Sequence, residues 1–210
     1  LFRENNQAGG FTHQWIYDDA GNILRREEYP YTAGPLGTPA NTVHYGYDDS
    51  LDWGDLLTSY NGQSITSDEI GNMLSDGTWT YTWQHGRQLA SMTKGSTTWT
   101  FTYNSDGLRT QRTDGTNTYC YTYADGQLVY MTANGAGVYI AYDGMGQPLS
   151  INYNGTNYFY VTNPQGDVIA IINTDSAPVV EYTYDAWGKV LSITGSKATT
   201  LGKFNPLRNR

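Results

Sequence analysis

The first places where this sequence could support chemistry are adjacent carboxylates at Asp18-Asp19, Asp48-Asp49 and Asp68-Glu69. A glycosidase needs two carboxyl groups about 5 to 9.5 Å apart that face one sugar across a cleft. Neighbouring residues in a turn point in different directions, and each pair stands in a segment that recurs along the chain. We therefore interpret these carboxylates as turn caps rather than as catalytic groups.

Metal sites and nucleophiles also lack the spacing that they need. His13, His44 and His85 are far apart, and the single cysteine, Cys120, completes no zinc ligand set with them. Four aspartates fall within residues 48–55, but without the ligand spacing of a calcium loop such as the EF-hand. No serine stands in a nucleophile elbow, and no phosphate-binding glycine loop is present. The sequence predicts a protein that is not an enzyme and that uses no cofactor or metal.

The charge balance argues against a nucleic-acid partner, and the hydropathy argues against membrane insertion. The formal net charge is −8, and Lys and Arg form no cluster. Because a nucleic-acid surface needs a basic stripe, we expect no nucleic-acid partner. No apolar run approaches the roughly 18 residues that cross a bilayer, so we expect no membrane insertion.

The dominant pattern is an alternation of small polar and aromatic residues. Residues 98–103 alternate strictly, a turn follows at 104–107, and the alternation restarts at 118–123 after Asp114-Gly115. Alternation with period two is typical of a half-buried strand, and an Asp-Gly turn between two such runs indicates a hairpin. The strand and turn unit recurs, which predicts an all-β protein built from stacked antiparallel hairpins.

Each unit has an aromatic residue, a polar turn with glycine, and an apolar residue two or three places later. Glycine supplies positive φ, and Asp or Asn caps its own turn. From Gly86 onward the turn glycines recur every 19 to 22 residues, which is the spacing of a repeat architecture. We assign structural repeat roles to Tyr17, Asp18, Gly21, Tyr47, Asp48, Gly54, Gly71, Gly86, Tyr103, Gly107, Tyr123, Gly126, Tyr142, Asp143, Gly146, Gly166, Tyr184, Asp185 and Gly188.

These units resemble the YD-repeat, or Rhs, family over nearly the whole chain. Residues 17–22 match the family repeat, residues 182–190 resemble the start of its core-associated domain, and residues 205–208 resemble the next signature. The resemblance implies a twisted, curved sheet, the open part of a β-shell that encloses a C-terminal polymorphic toxin or effector. The implied partners are the rest of the shell and its cargo, and the implied location is extracellular or at the cell surface.

The resemblance also bears on where this chain stops. The family's self-cleaving aspartyl unit aligns beyond Arg210, so autoproteolysis is not carried over, and we interpret the chain as part of a longer protein. Within it we expect one β-sheet region over 1–210, with a long loop at 30–42, where Pro30, Pro35 and Pro39 cannot sit in a sheet interior.

Two segments near the end of the chain depart from the alternation. The aliphatic run 168–172 predicts a strand buried on both faces. From about residue 195 the pattern thins, which predicts a loose tail to 210.

The tryptophans leave a second function open. Trp79 and Trp83 share one strand face with Tyr81, and Trp99 begins the same pattern in the next unit. Such stripes are typical of a core or a shell lining. The alternative is a cell-surface adhesion module in which Trp79, Trp83 and Trp99 stack on glycans.

Overall fold

The computed structural model describes residues 2–48 and 54–208, and it consists almost wholly of antiparallel strands in open sheets. The predicted all-β fold is therefore confirmed. The chain divides into two compact units, residues 1–99 and residues 100–210. The segment 49–53, which holds two of the four aspartates considered above for calcium, lies outside the described residues.

The first unit holds two runs of strands that pair in chain order. The loop predicted at 30–42 is confined to the residues between Pro30, where β3 ends, and Asn41, where β4 begins. The strands of the first run are β1 Arg3–Asn6, β2 Phe11–Tyr17, β3 Ile23–Pro30, β4 Asn41–Tyr47, β5 Leu57–Tyr60 and β6 Gln63–Ser64. Those of the second are β7 Thr66–Ser67, β8 Met73–Ser75, β9 Thr80–Gln84 and β10 Gln88–Lys94.

The second unit is one meander, in which each strand pairs with the next. Its first strand begins just before the boundary between the units. The strands are β11 Thr97–Tyr103, β12 Arg109–Thr113, β13 Thr118–Ala124, β14 Gln127–Ala133, β15 Ala136–Tyr142, β16 Pro148–Tyr153, β17 Thr156–Thr162, β18 Val168–Ile172, β19 Pro178–Tyr184 and β20 Val190–Thr194. Alternate turns of a meander join its strands at the same end. The turns at one end of the strands of this sheet contain Gly107, Gly126, Gly146, Gly166 and Gly188.

The two faces of the second unit differ in chemistry, as the alternation requires. On one face, here called the core face, cross-strand partners include Tyr121 with Met131 and Ile140 with Ile151. The buried centre of this face consists of Met131, Val138, Ile140, Ile151, Tyr158, Val168, Ile171, Val179, Val180, Tyr182 and Leu201. The opposite face carries hydroxyl pairs between strands, at 2.7 Å for Thr183 with Ser192 and 2.9 Å for Thr113 with Thr118.

The end of the chain is packed, and the expectation of a loose tail over 195–210 is wrong through residue 208. A short helical turn, Ala198–Gly202, places Leu201 on the core face with no exposed surface. Asn205 is 2% exposed. The segment lacks alternation because it covers a sheet instead of extending one.

The strand β18 is buried on one face only, which corrects the expectation of burial on both. Val168 and Ile171 are 1% and 0% exposed, but Ile169 is 37% exposed. Arg208 reaches back to this strand, because its carbonyl oxygen accepts the N–H of Val168 at 2.8 Å. The cover over β18 is thus supplied by the end of the described chain.

Candidate functional site

Seven turns among the described residues share one hydrogen-bond pattern. In the first, the N–H of Asp18 donates to the carbonyl of Asn22 at 2.9 Å, and the N–H of Gly21 donates to the carbonyl of Asp18 at 3.1 Å. One carboxylate oxygen of Asp18 accepts the N–H of Asn22 at 2.7 Å. The same pattern recurs in the turns that begin at Asp68, Asn104, Asp143, Asn163, Asn173 and Asp185.

In the first of these turns the capping hydrogen bonds also lower the pKa of the carboxyl group. The side-chain amide of Asn22 donates to the second carboxylate oxygen of Asp18 at 2.9 Å. This bond, more than the backbone N–H groups, holds the pKa of the Asp18 carboxyl below its ordinary value. The carboxylates are therefore engaged in holding the turn shape.

The fourth residue of each such turn lies in the left-handed region, where glycine is favoured. Gly21 has φ of 92° and Gly107 has φ of 79°. The turn from Asn173 to Ala177 departs from the pattern, because Ser176 occupies this position with φ of 61°. Each turn follows a register shift in the preceding strand, as between Ala141 and Tyr142.

Gly86 and Gly126 belong to a different turn, although the sequence pattern groups them with the others. His85-Gly86 has φ of 47° and 84°, and Asp125-Gly126 has φ of 50° and 79°. Two positive φ values in succession are typical of a two-residue type I′ hairpin. Gly54 lies in a turn beside residues outside the described part of the chain.

Tyrosines at or next to the ends of four strands tie neighbouring hairpins together, which sequence reasoning missed. Each hydroxyl donates to a backbone carbonyl two residues after the turn glycine of the preceding hairpin, and we call these contacts the inter-hairpin hydrogen bonds. They run from Tyr47 to Ile23 at 3.2 Å, Tyr123 to Arg109 at 3.0 Å, Tyr142 to Leu128 at 2.9 Å and Tyr184 to Val168 at 2.6 Å. The pattern that could have revealed them is the excess of 19 Tyr over 5 Phe.

Other repeat residues have different contacts. Tyr17 contacts the ring of Phe2 edge-on, with centroids 5.5 Å apart, and Tyr103 is the cross-strand partner of Arg109. Tyr160 donates to the side-chain oxygen of Asn205 at 2.8 Å, so it binds the end of the chain.

The inter-hairpin tyrosines stay neutral donors well above neutral pH. Burial raises the pKa of Tyr184 to about 12. Burial likewise raises the pKa of Tyr47, Tyr123 and Tyr142. The hydroxyl protons that these hydrogen bonds need are therefore retained at physiological pH.

The three tryptophans considered for glycan stacking are all half-buried. Trp83 takes the place of an inter-hairpin tyrosine, because its indole N–H donates to the carbonyl of Met73 at 2.8 Å. The ammonium group of Lys94 lies 5.9 Å from the ring centroid of Trp79. Of the three, Trp83 therefore uses its indole N–H in a hydrogen bond within the sheet.

One buried ionisable group of the first unit was also missed. His13 and Glu4 are 5% and 9% exposed. The Nδ1 atom of His13 lies 3.4 Å from Glu4, and its Nε2 atom lies 3.0 Å from Glu28. The three residues are direct cross-strand partners on β1, β2 and β3, so strand register alone could have predicted the contact.

The described residues hold neither a metal-ligating cluster nor a membrane-spanning helix. Across residues 2–48 and 54–208, no group of three or more His, Cys, Asp or Glu side chains is placed to hold a metal ion. Over the same part of the chain, no helix has the length and apolar character needed to cross a membrane.

Curated proteins of similar sequence are much longer than this chain. It is 39% identical over 139 residues to the tRNA(Glu)-specific nuclease WapA of Bacillus subtilis subsp. natto strain BEST195. It is 38% identical over the same length to the tRNA nuclease WapA of Bacillus subtilis strain 168. Each match covers 63% of this chain and 6% of the relative. No protein-family model matches the chain.

Solved structures of similar fold include crystal structures of TcdB2-TccC3-Cdc42, of TcdB2-TccC3 without its hypervariable C-terminal region, and of TcdB2-TccC3-TEV. Their TM-scores are 0.55, 0.53 and 0.50, at 11%, 12% and 14% identity. Each match covers 94% of this chain and 11% of the other. At these identities the likeness shows the fold alone. The chain therefore has the open antiparallel β-sheet fold of the matched part of these structures.

Proposed function

We propose that this chain is a structural segment of a YD-repeat shell that encloses a C-terminal toxin or effector and keeps it from the cytosol and from proteases until delivery. The observation that carries the proposal is the likeness of fold to the TcdB2-TccC3 structures over 94% of the chain. The nuclease relatives add support, because this chain resembles a part, 6% of the length, of proteins that are named as tRNA nucleases.

The architecture of the second unit suits a wall. Its strands pair without interruption from β11 to β20, so the backbone polar groups between neighbours are satisfied within the sheet. The inter-hairpin hydrogen bonds add side-chain ties across the same strands. Such a sheet acts passively, by exclusion, and the proposal assigns this chain no catalytic role and no cofactor.

The proposal includes the partners and the location of the parent protein. The partners are the remainder of the shell and the enclosed cargo. The location is extracellular or at the cell surface, which rests on the resemblance to YD-repeat proteins.

Protease protection of the parent polypeptide tests this function. Under native conditions trypsin should leave the C-terminal cargo intact in the parent, while the same cargo made alone should be cleaved. Replacing the turn caps with Asp143→Ala and Asp185→Ala should speed cleavage of the enclosed cargo, because each removes carboxylate acceptors for two backbone N–H groups. Asp175→Ala is the matched control, since Asp175 is an exposed turn residue that donates its backbone N–H to Asn173 and whose carboxylate caps no turn among the described residues.

If the cargo is cleaved as fast within the folded parent as it is alone, the sheet does not enclose it. Mass spectrometry of the fragments identifies which region is cut first.

A second proposal is contact with cell-surface glycans through Trp79 and Trp99. Both indoles keep part of their surface exposed, and aromatic faces stack on the C–H faces of sugars. Tryptophan fluorescence titrated with cell-wall sugars should shift for the unchanged protein and not for the double variant Trp79→Ala, Trp99→Ala. Equal responses, or none, would leave only the shell.

A further inference from the structure

The core face of the second unit holds a half-open cavity of about 610 Å³ whose charged lining is entirely basic. Its charged residues are Arg109, Arg112, Lys203 and Arg208, and none of the described residues that line it is Asp or Glu. The chain as a whole has 20 acidic and 12 basic residues, so a third of all its Lys and Arg meet at this one place. Like charges that line one cavity repel one another, and a bound anion would relieve that repulsion.

The cavity is also lined with aromatic rings that hold the guanidinium groups. The Arg112 guanidinium carbon lies 4.1 Å from the ring centroid of Tyr119. That of Arg109 lies 5.4 Å from Tyr121 and 5.6 Å from Phe101. A guanidinium group over a ring face contacts the ring through its π-surface and donates through its in-plane N–H groups, whose geometry matches a planar carboxylate.

Two further observations concern the cationic side chains that could bind an anion. Arg208 donates through Nη2 to the carbonyls of Gly202 at 3.3 Å and Lys203 at 2.8 Å. Its Nε atom is buried and has no hydrogen-bond partner among the described residues. Within the same described part of the chain, no carboxylate forms an ion pair with Arg109 or Lys203.

We propose that this cavity binds an acidic peptide segment through its carboxylate side chains. A peptide fits better than a nucleic acid, because planar carboxylates match the in-plane N–H groups of the Arg109 guanidinium over the Tyr121 ring. The chain also has no phosphate-binding glycine loop to present backbone N–H groups. That the segment belongs to the enclosed polypeptide rests on the proposed function; the binding of an acidic peptide does not.

Fluorescence anisotropy with labelled peptides tests the site. The probes are a peptide of alternating glutamate and alanine, the same peptide with glutamine for glutamate, and a single-stranded oligonucleotide. The glutamate peptide should bind at low salt, should weaken as NaCl is added, and should outcompete the other two probes.

Charge-removing variants locate the binding. Arg109→Gln should weaken the glutamate peptide about twofold to fivefold, because Arg109 is exposed and solvent screens its charge. Lys203→Gln should weaken it about twofold to fivefold because Lys203 is exposed, which also keeps the fold intact. Lys189→Gln removes one exposed positive charge from a turn outside the cavity and should leave binding unchanged.

Several outcomes would overturn the inference. Equal binding of the glutamine peptide, or equal losses in Lys189→Gln, would show that the cavity does not recognise carboxylates. Tighter binding of the oligonucleotide with the same dependence on Arg109 and Lys203 would assign the site to nucleic acid instead. Absent peptide binding in a parent that still protects its cargo from trypsin would refute this inference while leaving the proposed function standing.

Discussion

Removing one hydroxyl group, with Tyr184→Phe, tests whether the inter-hairpin hydrogen bonds stabilise the sheet. The hydroxyl of Tyr184 donates to the carbonyl of Val168 at 2.6 Å, and Val168 is 1% exposed. Phenylalanine keeps the ring and removes only the donor. The variant therefore isolates the hydrogen bond from the packing of the aromatic side chain.

The expected loss follows from the burial of the acceptor. Leaving a buried carbonyl without its donor costs about 1 to 3 kcal/mol, and the half-buried Tyr184 side chain favours the lower part of that range. We expect the free energy of unfolding to fall by about 1 to 2 kcal/mol, which lowers the melting temperature by about 2 to 8 °C in a chain of this length. Tyr31→Phe is the control, because Tyr31 is 38% exposed and should change stability by less than about 0.5 kcal/mol.

The pH dependence adds an independent check. Burial raises the pKa of Tyr184 to about 12, above the value of about 10 expected in the unfolded chain. The folded state then binds the proton more tightly, so this contribution is fully present below pH 10 and is lost as the pH rises through 12. Urea unfolding at pH 7 and pH 11 should therefore show a smaller difference between the unchanged protein and Tyr184→Phe at the higher pH. Equal urea midpoints for Tyr184→Phe and Tyr31→Phe at pH 7 would refute the reasoning.

Three further changes test the turns and one cross-strand contact. Ser176→Gly should raise the free energy of unfolding by about 0.5 to 1 kcal/mol, because the left-handed φ of 61° strains serine; a lower urea midpoint would contradict this. The Asn22 amide lowers the pKa of the Asp18 carboxyl, so the ionised carboxylate stabilises the folded state above the unfolded pKa, and this stabilisation is lost at lower pH. Asp18→Asn should therefore lose less stability below about pH 4 in thermal melts than the unchanged protein. An identical acid profile would count against the cap. Gly137→Ala should cost about 1 to 3 kcal/mol in urea unfolding, because the added Cβ would lie 2.8 Å from ring carbons of Tyr130, and an unchanged midpoint would mean that this ring moves freely aside.

Local residue patterns were enough to predict the strands, because each depends on contacts within a few residues. Alternation with period two shows which side chains share a face, and an Asp or Asn with glycine three places later defines a turn that closes on its own backbone. The capped turn from Asp143 to Gln147 forms all its capping hydrogen bonds within five residues. The sequence by itself therefore determined the all-β fold, the order of the hairpins and the chemistry of the two sheet faces.

Tertiary structure decided the contacts that join residues far apart in the chain. The hydroxyl of Tyr160 meets Asn205 across 45 positions, and the packed end of the chain follows from such contacts rather than from any periodicity. The basic cavity likewise needs Arg109 from a strand and Lys203 from that end segment, which only folding brings to one place. The period of the sequence pattern shows to which face of the sheet a side chain points. Which distant segment covers that face depends on the packing of the whole unit.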